Sequence, residues 1–221
     1  MSARDKLPKG WPDQIQFLKK LQWHPNLPPE IQILCRTGQL PHRIHPETAA
    51  AAEDFCRQLV QAESRSLPPN DTPSRRVLIK KITDPAHPAC GQCGLFAAAN
   101  LDPRTHVLDY VGIVNSDSTG ASTTSDYIIR LLGDLSVDAE FAGNEARFMN
   151  DFRGCPGGPK PNVEFGPYRD SLSGELRMGV WVLNKKIRKG DELLVTYGKG
   201  FWKARGLIDL IEEKWVGDYP E

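Results

Sequence analysis

The chain has 221 residues, enough for one sizeable domain or for one domain with an appended region. Its 28 basic residues balance 28 acidic ones, so net charge gives no reason to expect broad binding to nucleic acid or to a membrane surface. No apolar run reaches the length of about 18 residues that a membrane span needs. The first residues, MSARDKLPKGW, lack the apolar core of a signal peptide, so we expect an intracellular protein.

The five cysteines are not spaced like the ligands of a metal site. Cys90 and Cys93 form one C-x-x-C pair, but Cys155 stands alone and the five histidines are scattered. A structural zinc site usually takes its four ligands from two close pairs. We therefore expect reduced thiols and no bound metal.

The first segment with a clear pattern predicts a helix over residues 11–22. Its apolar residues Trp11, Ile15 and Leu18 fall on one helical face. Pro12 suits the first turn of a helix, where its missing N–H is not needed.

Two more helical patterns and a linker follow. Residues 28–36 predict a short helix, and residues 46–63 give the clearest helical pattern because their apolar residues repeat at helical spacing. Residues 64–76, SRSLPPNDTPSRR, are typical of a linker. We therefore expect a separate N-terminal helical region and linker over residues 1–74.

After the linker the pattern changes to short segments rich in β-branched residues and separated by turn residues, which predicts strands. The absence of repeating βα alternation favours several small sheets over a doubly wound fold. One segment, residues 125–135, fits either a short helix or a strand, and the chain from residue 201 predicts an amphipathic helix. The predicted strands are 76–82, 94–99, 106–114, 177–183 and 192–198.

Five short motifs occur in one order along the chain. They are GQCGLFAAANL (91–101), DYVGIV (109–114), GNEARFMNDF (143–152), PNVEF (161–165) and IRKGDELLVTYG (187–198). Together they resemble the SET-domain family of protein lysine methyltransferases. The resemblance covers residues 75–205 and implies a mainly β, SET-like fold of several small sheets with a pseudoknot. The amphipathic pattern at the end of the chain predicts that a helical tail follows over 206–221.

The resemblance implies a site for S-adenosylmethionine where the Arg-Phe-x-Asn segment meets the closing Tyr-Gly segment. It implies that Tyr197 and Tyr110 are catalytic, and that Tyr110, Phe165 and Val195 line a channel for the target lysine. Each of these residues also has a structural interpretation, such as a strand-end tyrosine or a packed strand aromatic. The cofactor contacts implied by resemblance are Cys93, Gly94, Leu95, Phe96, Arg147, Phe148, Met149, Asn150, Asp151, Tyr197 and Trp202.

Several positions depart from the family pattern. Asp151-Phe152 replaces the family's His-Ser, and Ile113 replaces a Glu. Gln92 stands where a Gly is usual, so either the turn differs or Gly91 takes over the positive φ that a Gln adopts only at a cost. The trailing cysteine cluster of many members is missing.

The function implied by the resemblance is protein-lysine N-methylation, with a histone tail as the leading substrate and a ribosomal or other non-histone protein as a competitor. The nucleus is the favoured location, with the cytoplasm as the alternative. A rival interpretation is a catalytically weak SET-like binding module, which the departures motivate. Two further alternatives concern the N-terminal helices: they pair between two copies of the chain, or they fold onto the SET-like part.

Overall fold

The strands of this chain are short and gather into small sheets, as expected from the sequence. The computed structural model describes residues 7–39, 41, 53, 55–59, 64–65, 76–117, 124–157 and 159–206. The strands are β1 (Gln16–Phe17), β2 (Gln22–Trp23), β3 (Ser64–Arg65), β4 (Val77–Lys81), β5 (Cys93–Ala97), β6 (His106–Asp109) and β7 (Ile113–Ser116). They continue with β8 (Ile128–Leu132), β9 (Leu135–Asp138), β10 (Ala142–Gly143), β11 (Asn150–Asp151), β12 (Val163–Asp170), β13 (Leu176–Val182) and β14 (Leu194–Val195).

Two four-stranded sheets, in the orders β3-β12-β13-β6 and β2-β7-β9-β8, carry most of the core. Three two-stranded pairs, β1-β10, β4-β5 and β11-β14, lie around them. The helical elements that the structure describes include α1 (Pro29–Thr37), a 3-10 turn (Glu145–Phe148), the helical residues 55–59 and a short helix (Lys199–Ala204). The predicted mainly β fold of several small sheets is confirmed for the described residues.

Most of the predicted strands are present. The segment predicted as one strand over 106–114 is instead two strands, β6 and β7, which belong to different sheets. The chain turns between them at Gly112, where a Cβ atom would lie 2.3 Å from the carbonyl oxygen of Asp138. Of the two structures that the sequence allowed for 125–135, the strand is found, as β8.

The helix predicted over residues 11–22 is wrong. This segment forms turns and the two-residue strands β1 and β2, and its backbone pairs with β10 and β7. Trp11 and Leu18 are buried, as their apolar character requires, but the indole Nε1 of Trp11 donates to the carbonyl of Ile15 at 2.7 Å. The apolar spacing therefore identified the buried residues and not the backbone conformation.

The helix predicted over 28–36 is confirmed as α1. Pro29 begins it, and Gly38 ends it with a left-handed φ of 69° and an N–H that donates to Leu34 O at 2.8 Å. Its buried residues Ile31, Leu34 and Cys35 join the main core cluster.

The remaining N-terminal predictions are only partly covered by the described residues. Residues 55–59 are helical, within the helix predicted over 46–63, and their Phe55 and Leu59 side chains enter the same core. The predicted linker contributes β3, which pairs in parallel with β12, and its residues 66–75 lie outside the described part.

The N-terminal region is thus built into the sheets and the core of the rest of the chain, so the expected separation does not hold for residues 7–39. Of the alternatives for this region, the structure favours folding onto the SET-like part. The domain limits at residues 75 and 205, and a homodimer through this region, stay predictions.

The closing segment is less regular than the sequence predicted. Only Leu194–Val195 of residues 192–198 is a strand, and the helix predicted from residue 201 begins at Lys199 and extends to Ala204. The residues from 207 onward lie outside the described part. In the part that is described, no helix is long and apolar enough to cross a membrane.

A pair of substitutions in α1 tests whether the N-terminal region shares the common core. Leu34 is fully buried, whereas its neighbour Ile33 is 42% exposed. We expect Leu34→Ala to lower the free energy of unfolding by about 2–5 kcal/mol, because it leaves a cavity in the core. Ile33→Ala, the matched control, should cost less than about 1 kcal/mol.

Denaturant unfolding followed by circular dichroism measures both values. A Leu34→Ala protein that unfolds in two separate transitions, with the main one unchanged, would show that α1 belongs to an independent unit.

Candidate active site

The centre of the site is the pairing of two segments that lie far apart in the chain. β11 and β14 pair in parallel, with Asn150 opposite Leu194 and Asp151 opposite Val195. Phe152 N continues the pairing by donating to Val195 O at 3.0 Å. The prediction that the segments around residues 150 and 197 meet is confirmed, and we call this junction the crossing.

The carboxylate of Asp151 fixes the crossing from inside. Its Oδ2 accepts a hydrogen bond from the backbone N–H of Tyr197 at 2.7 Å. Its Oδ1 accepts from the backbone N–H of Arg153 at 2.9 Å, and the Arg153 guanidinium forms an ion pair with it. Both side chains are buried, at about 5% exposure. The residue that replaces the family's His therefore ties the closing segment to the Arg-Phe-x-Asn segment.

Tyr197 is positioned by this junction. Its hydroxyl donates to the carbonyl of Met149 at 2.9 Å. Burial, and then the negative charge of Asp151, raises the pKa of the Tyr197 phenol well above its usual value. The phenol is therefore neutral at physiological pH, and its proton is held in the hydrogen bond to the Met149 carbonyl.

Tyr110 has a similar arrangement. Its hydroxyl donates to the carbonyl of Tyr127 at 2.8 Å, and burial raises the pKa of Tyr110 well above its usual value. The ring meets Phe165 edge-on, with the two ring centroids 5.5 Å apart. Tyr110 is thus a second neutral phenol with a committed proton.

A cavity of about 170 Å³ opens between these tyrosines. Of the three predicted channel residues, Tyr110 and Phe165 line it, together with Tyr197. Val195 is 1% exposed, packs in the core and is not among the described residues that line the cavity. The other lining residues are Asp126, Tyr127, Ile128, Ile129, Arg130, Ala146, Arg147, Met149, Thr196 and Phe201.

Sequence reasoning missed the wall that residues 126–130 form. The signal was weak, because residues 125–135 fitted a helix and a strand equally well. The mouth of this cavity is also tied to the short helix Lys199–Ala204, since Arg205 forms an ion pair with Asp126. Arg205 also lies over the Phe201 ring, 3.6 Å from its centroid.

The strand β5 approaches the crossing from the other side. The amide Nδ2 of Asn150 donates to Cys93 O at 3.4 Å and to Glu192 Oε1 at 2.9 Å. Gly94 is buried there, and a Cβ atom on it would lie 2.6 Å from Glu192 Oε1. Phe96 is half-buried, whereas Leu95 is fully buried in the core and plays a packing role.

The turn before β5 resolves the question raised by Gln92. Gly91 has a φ of 88°, so Gly91 supplies the left-handed conformation. Gln92 keeps an ordinary φ, and its carbonyl accepts from Ile82 N at 2.8 Å. Of the two possibilities for this turn, the substitution by Gly91 is confirmed.

The residues just before Asn150 are mainly structural. Arg147 donates to the carbonyls of Ala139 and Glu140, at 2.8 and 3.3 Å, and its guanidinium lies over the Tyr127 ring. Phe148 packs edge-on against Trp11 in the core.

Trp202 lies beside Tyr197. The two rings are nearly parallel, with an interplanar angle of 25° and centroids 6.1 Å apart. The indole Nε1 of Trp202 is buried without a hydrogen-bond partner among the described residues. A buried donor of this kind is costly unless a ligand accepts from it.

The chain matches the SET-domain family model over residues 92–198. It is 26% identical over 137 residues to the Arabidopsis thaliana histone-lysine N-methyltransferase ASHH3, covering 58% of this chain and 35% of that protein. It is 28% identical over 134 residues to the Arabidopsis thaliana histone-lysine N-methyltransferase ASHR3, covering 57% of this chain and 24% of that protein. The matched part is thus about a third or less of each relative.

The fold is also similar to that of a solved protein. The crystal structure of ATXR5 in complex with a mono-methylated histone H3.1 aligns with a TM-score of 0.52 at 19% identity. The alignment covers 83% of this chain and 81% of that chain. The predicted SET-like fold is therefore confirmed.

The buried ion pair at the crossing makes a testable prediction. Asp151→Asn keeps the side-chain size but removes the buried negative charge that pairs with Arg153 and accepts from Tyr197 N. We expect the free energy of unfolding to fall by about 3 kcal/mol. The matched control is Asp117→Asn, which removes an exposed ion pair with Arg130 and should cost less than about 1 kcal/mol.

Thermal and denaturant unfolding of the two variants give the comparison. Equal losses in the two proteins would contradict the stabilising role of Asp151.

Proposed function

We propose that this chain, whose residues 92–198 match the SET-domain family model, is an S-adenosylmethionine-dependent protein-lysine N-methyltransferase. The observation that carries the proposal is the cavity at the crossing. Its wall places the neutral phenols of Tyr197 and Tyr110 beside Phe165. Such a narrow, aromatic space suits the alkyl chain of a lysine.

The residues on the other side of the crossing fit the methyl donor. Gly94 has no side chain, which lets the Glu192 carboxylate lie against its backbone, with Oε1 2.6 Å from the position of a Cβ atom. Asn150 is half-buried and donates its two Nδ2 protons to Cys93 O and Glu192 Oε1, which leaves its amide oxygen as an acceptor for a ligand. The buried Trp202 Nε1 is a donor without a partner among the described residues. These three residues would hold S-adenosylmethionine, with Tyr197 between them and the cavity.

When bound, S-adenosylmethionine supplies an electrophilic methyl group on a sulfonium centre. The lysine amine must be neutral to attack it. With a reference pKa of ~10.4, its deprotonation at pH 7 costs about 4.6 kcal/mol. Removal from water into the cavity lowers the pKa of an amine, which reduces that cost.

The two phenols are suited to orienting the amine. Because Tyr197 and Tyr110 donate their protons to the carbonyls of Met149 and Tyr127, their oxygens remain as acceptors. An amine N–H that donates to these oxygens is held in one orientation, with its lone pair directed away from them. Alignment of this kind lowers a displacement barrier substantially.

A histone tail is the substrate that we favour. The two curated relatives are histone-lysine N-methyltransferases by name, and histone tails are rich in lysine. A histone substrate would place the protein in the nucleus; a non-histone substrate is the competing outcome of a substrate screen.

Tyr197→Phe tests the assigned chemistry. The substitution removes the oriented oxygen, so we expect methyl transfer to fall by about 100-fold while S-adenosylmethionine still binds. The matched control is Tyr168→Phe, which removes a buried hydroxyl that bonds to Asp109 outside the cavity. Its activity per folded molecule should be unchanged.

Labelled cofactor with a panel of histones and a cell extract measures transfer, and calorimetry measures cofactor binding. Full activity of Tyr197→Phe would contradict the role of its hydroxyl. A wild-type protein that binds no cofactor at millimolar concentration would favour the rival SET-like binding module, which the replacements at Asp151 and Ile113 motivate.

The side chain at position 165 allows a prediction of how many methyl groups are added to the lysine. A Phe at this wall of the cavity has no hydroxyl to hold a water against a methylated amine, so we expect more than one methyl to be added. Phe165→Tyr should shift the product toward monomethyl-lysine. Mass spectrometry of a saturated reaction distinguishes the products, and monomethyl product alone from the wild type would contradict this expectation.

A further inference from the structure

A chain of buried polar side chains lies behind Asn150, on the side away from the lysine cavity. Glu192 Oε1 accepts from Asn150 Nδ2 at 2.9 Å, and Glu192 Oε2 lies 3.2 Å from His87 Nε2. The same His87 nitrogen is 3.2 Å from the sulfur of Cys155. Glu192 is the charged member of this set, and its side chain is 13% exposed.

The hydrogen bonds of His87 define its protonation. The backbone N–H of Ala89 donates to His87 Nδ1 at 3.0 Å, so Nδ1 carries no proton. Nε2 must then carry the single proton of a neutral imidazole, and it donates toward Glu192. His87 therefore orients the carboxylate without adding a positive charge.

The thiol of Cys155 adds no positive charge either. Its sulfur donates to the carbonyl of Asp151 at 3.4 Å. Burial raises the pKa of Cys155 to about 11, with the charges of Glu192 and Asp151 acting in the same direction. The thiol is thus protonated and neutral at physiological pH.

Among the described residues, the Glu192 carboxylate consequently has hydrogen-bond donors but no Lys or Arg side chain in ion-pair contact. Among the residues that the structure describes, its one ion-pair contact is with the neutral His87. A largely buried carboxylate is costly unless a cation pairs with it. A hydrogen-bond donor nevertheless holds each oxygen in place, and Oε1 lies against the backbone of Gly94, 2.6 Å from the position of a Cβ atom.

We propose that Glu192 binds the positively charged α-ammonium group of the cofactor's amino-acid end. This inference rests on the proposed function. Glu192 is not among the described residues that line the lysine cavity, so the lysine amine is not its partner. Asn150 and Gly94 both contact or border this carboxylate, and they are the residues proposed to hold the cofactor. His87 is a positioning residue that acts through Glu192.

Calorimetry with three ligands tests the assignment. S-Adenosylmethionine carries the ammonium and the sulfonium, S-adenosylhomocysteine carries only the ammonium, and methylthioadenosine carries neither. We expect Glu192→Gln to weaken binding of the first two ligands by at least about tenfold and to leave methylthioadenosine within about twofold. The matched control is Glu164→Gln, an exposed position 3.9 Å from Arg104, which should change none of them.

The outcomes separate this inference from the proposed function. An equal loss for all three ligands, or no loss for any, would overturn the role of Glu192 while the cofactor site stands. A loss for S-adenosylmethionine alone would assign Glu192 to the sulfonium and overturn the ammonium assignment. A wild-type protein that binds none of the ligands would remove the proposed function and this inference with it.

A second variant covers the case in which Glu192→Gln does not fold. Glu192→Asp keeps the carboxylate but shortens the side chain by one methylene, so the charge lies nearer the backbone. The same selective loss is expected for the two ligands that carry the ammonium, and an unselective change would count against the assignment.

Discussion

The site depends on one junction, the parallel pairing of Asn150–Asp151 with Leu194–Val195. The backbone bonds of so short a pair are few, and the Asp151 carboxylate strengthens it by accepting from Arg153 and from Tyr197 N. One buried carboxylate therefore accepts hydrogen bonds from both segments. Without it, the buried Arg153 would lose this ion pair and the closing segment would lose the hydrogen bond at Tyr197 N.

The chemistry of the site depends on the polar groups that lie on the two sides of the crossing. On one side, Tyr197 and Tyr110 are neutral phenols whose protons are already committed to backbone carbonyls. On the other side, Asn150 and Gly94 lie beside the carboxylate of Glu192. Neutral hydrogen-bond acceptors suit a lysine amine that must lose its positive charge. A fixed anion suits a ligand group that keeps its positive charge. The crossing separates these two electrostatic environments.

The sequence correctly predicted the secondary-structure elements that depend on local residue patterns. The β-branched segments became strands. That residues 143–152 and 187–198 would meet was implied by the resemblance to the SET-domain family and not by the local pattern. The N-terminal segment shows the limit of this reasoning. Trp11 and Leu18 are buried as their spacing suggested, but backbone pairing with β10 decided their conformation, and a sequence pattern does not report a distant pairing partner.

The contacts of Glu192 and His87 were missed for the same reason. They lie 105 positions apart in the chain, and neither stands in a spacing that indicates an interaction. Asp151 was predicted as a cofactor contact and noted as a departure from a motif, but its bond to Tyr197 N was missed because that bond depends on the folded register. By contrast, the positive φ at Gly91 followed from glycine chemistry alone and was one of two possibilities that the sequence defined.

Hydrogen–deuterium exchange with and without S-adenosylmethionine tests the central claim most directly. If the crossing and its two segments jointly hold the cofactor, peptides that span residues 149–152 and 192–197 should both become protected when it is added. Protection of one segment without the other, or of neither while the ligand is bound, would contradict a cofactor site built on the crossing.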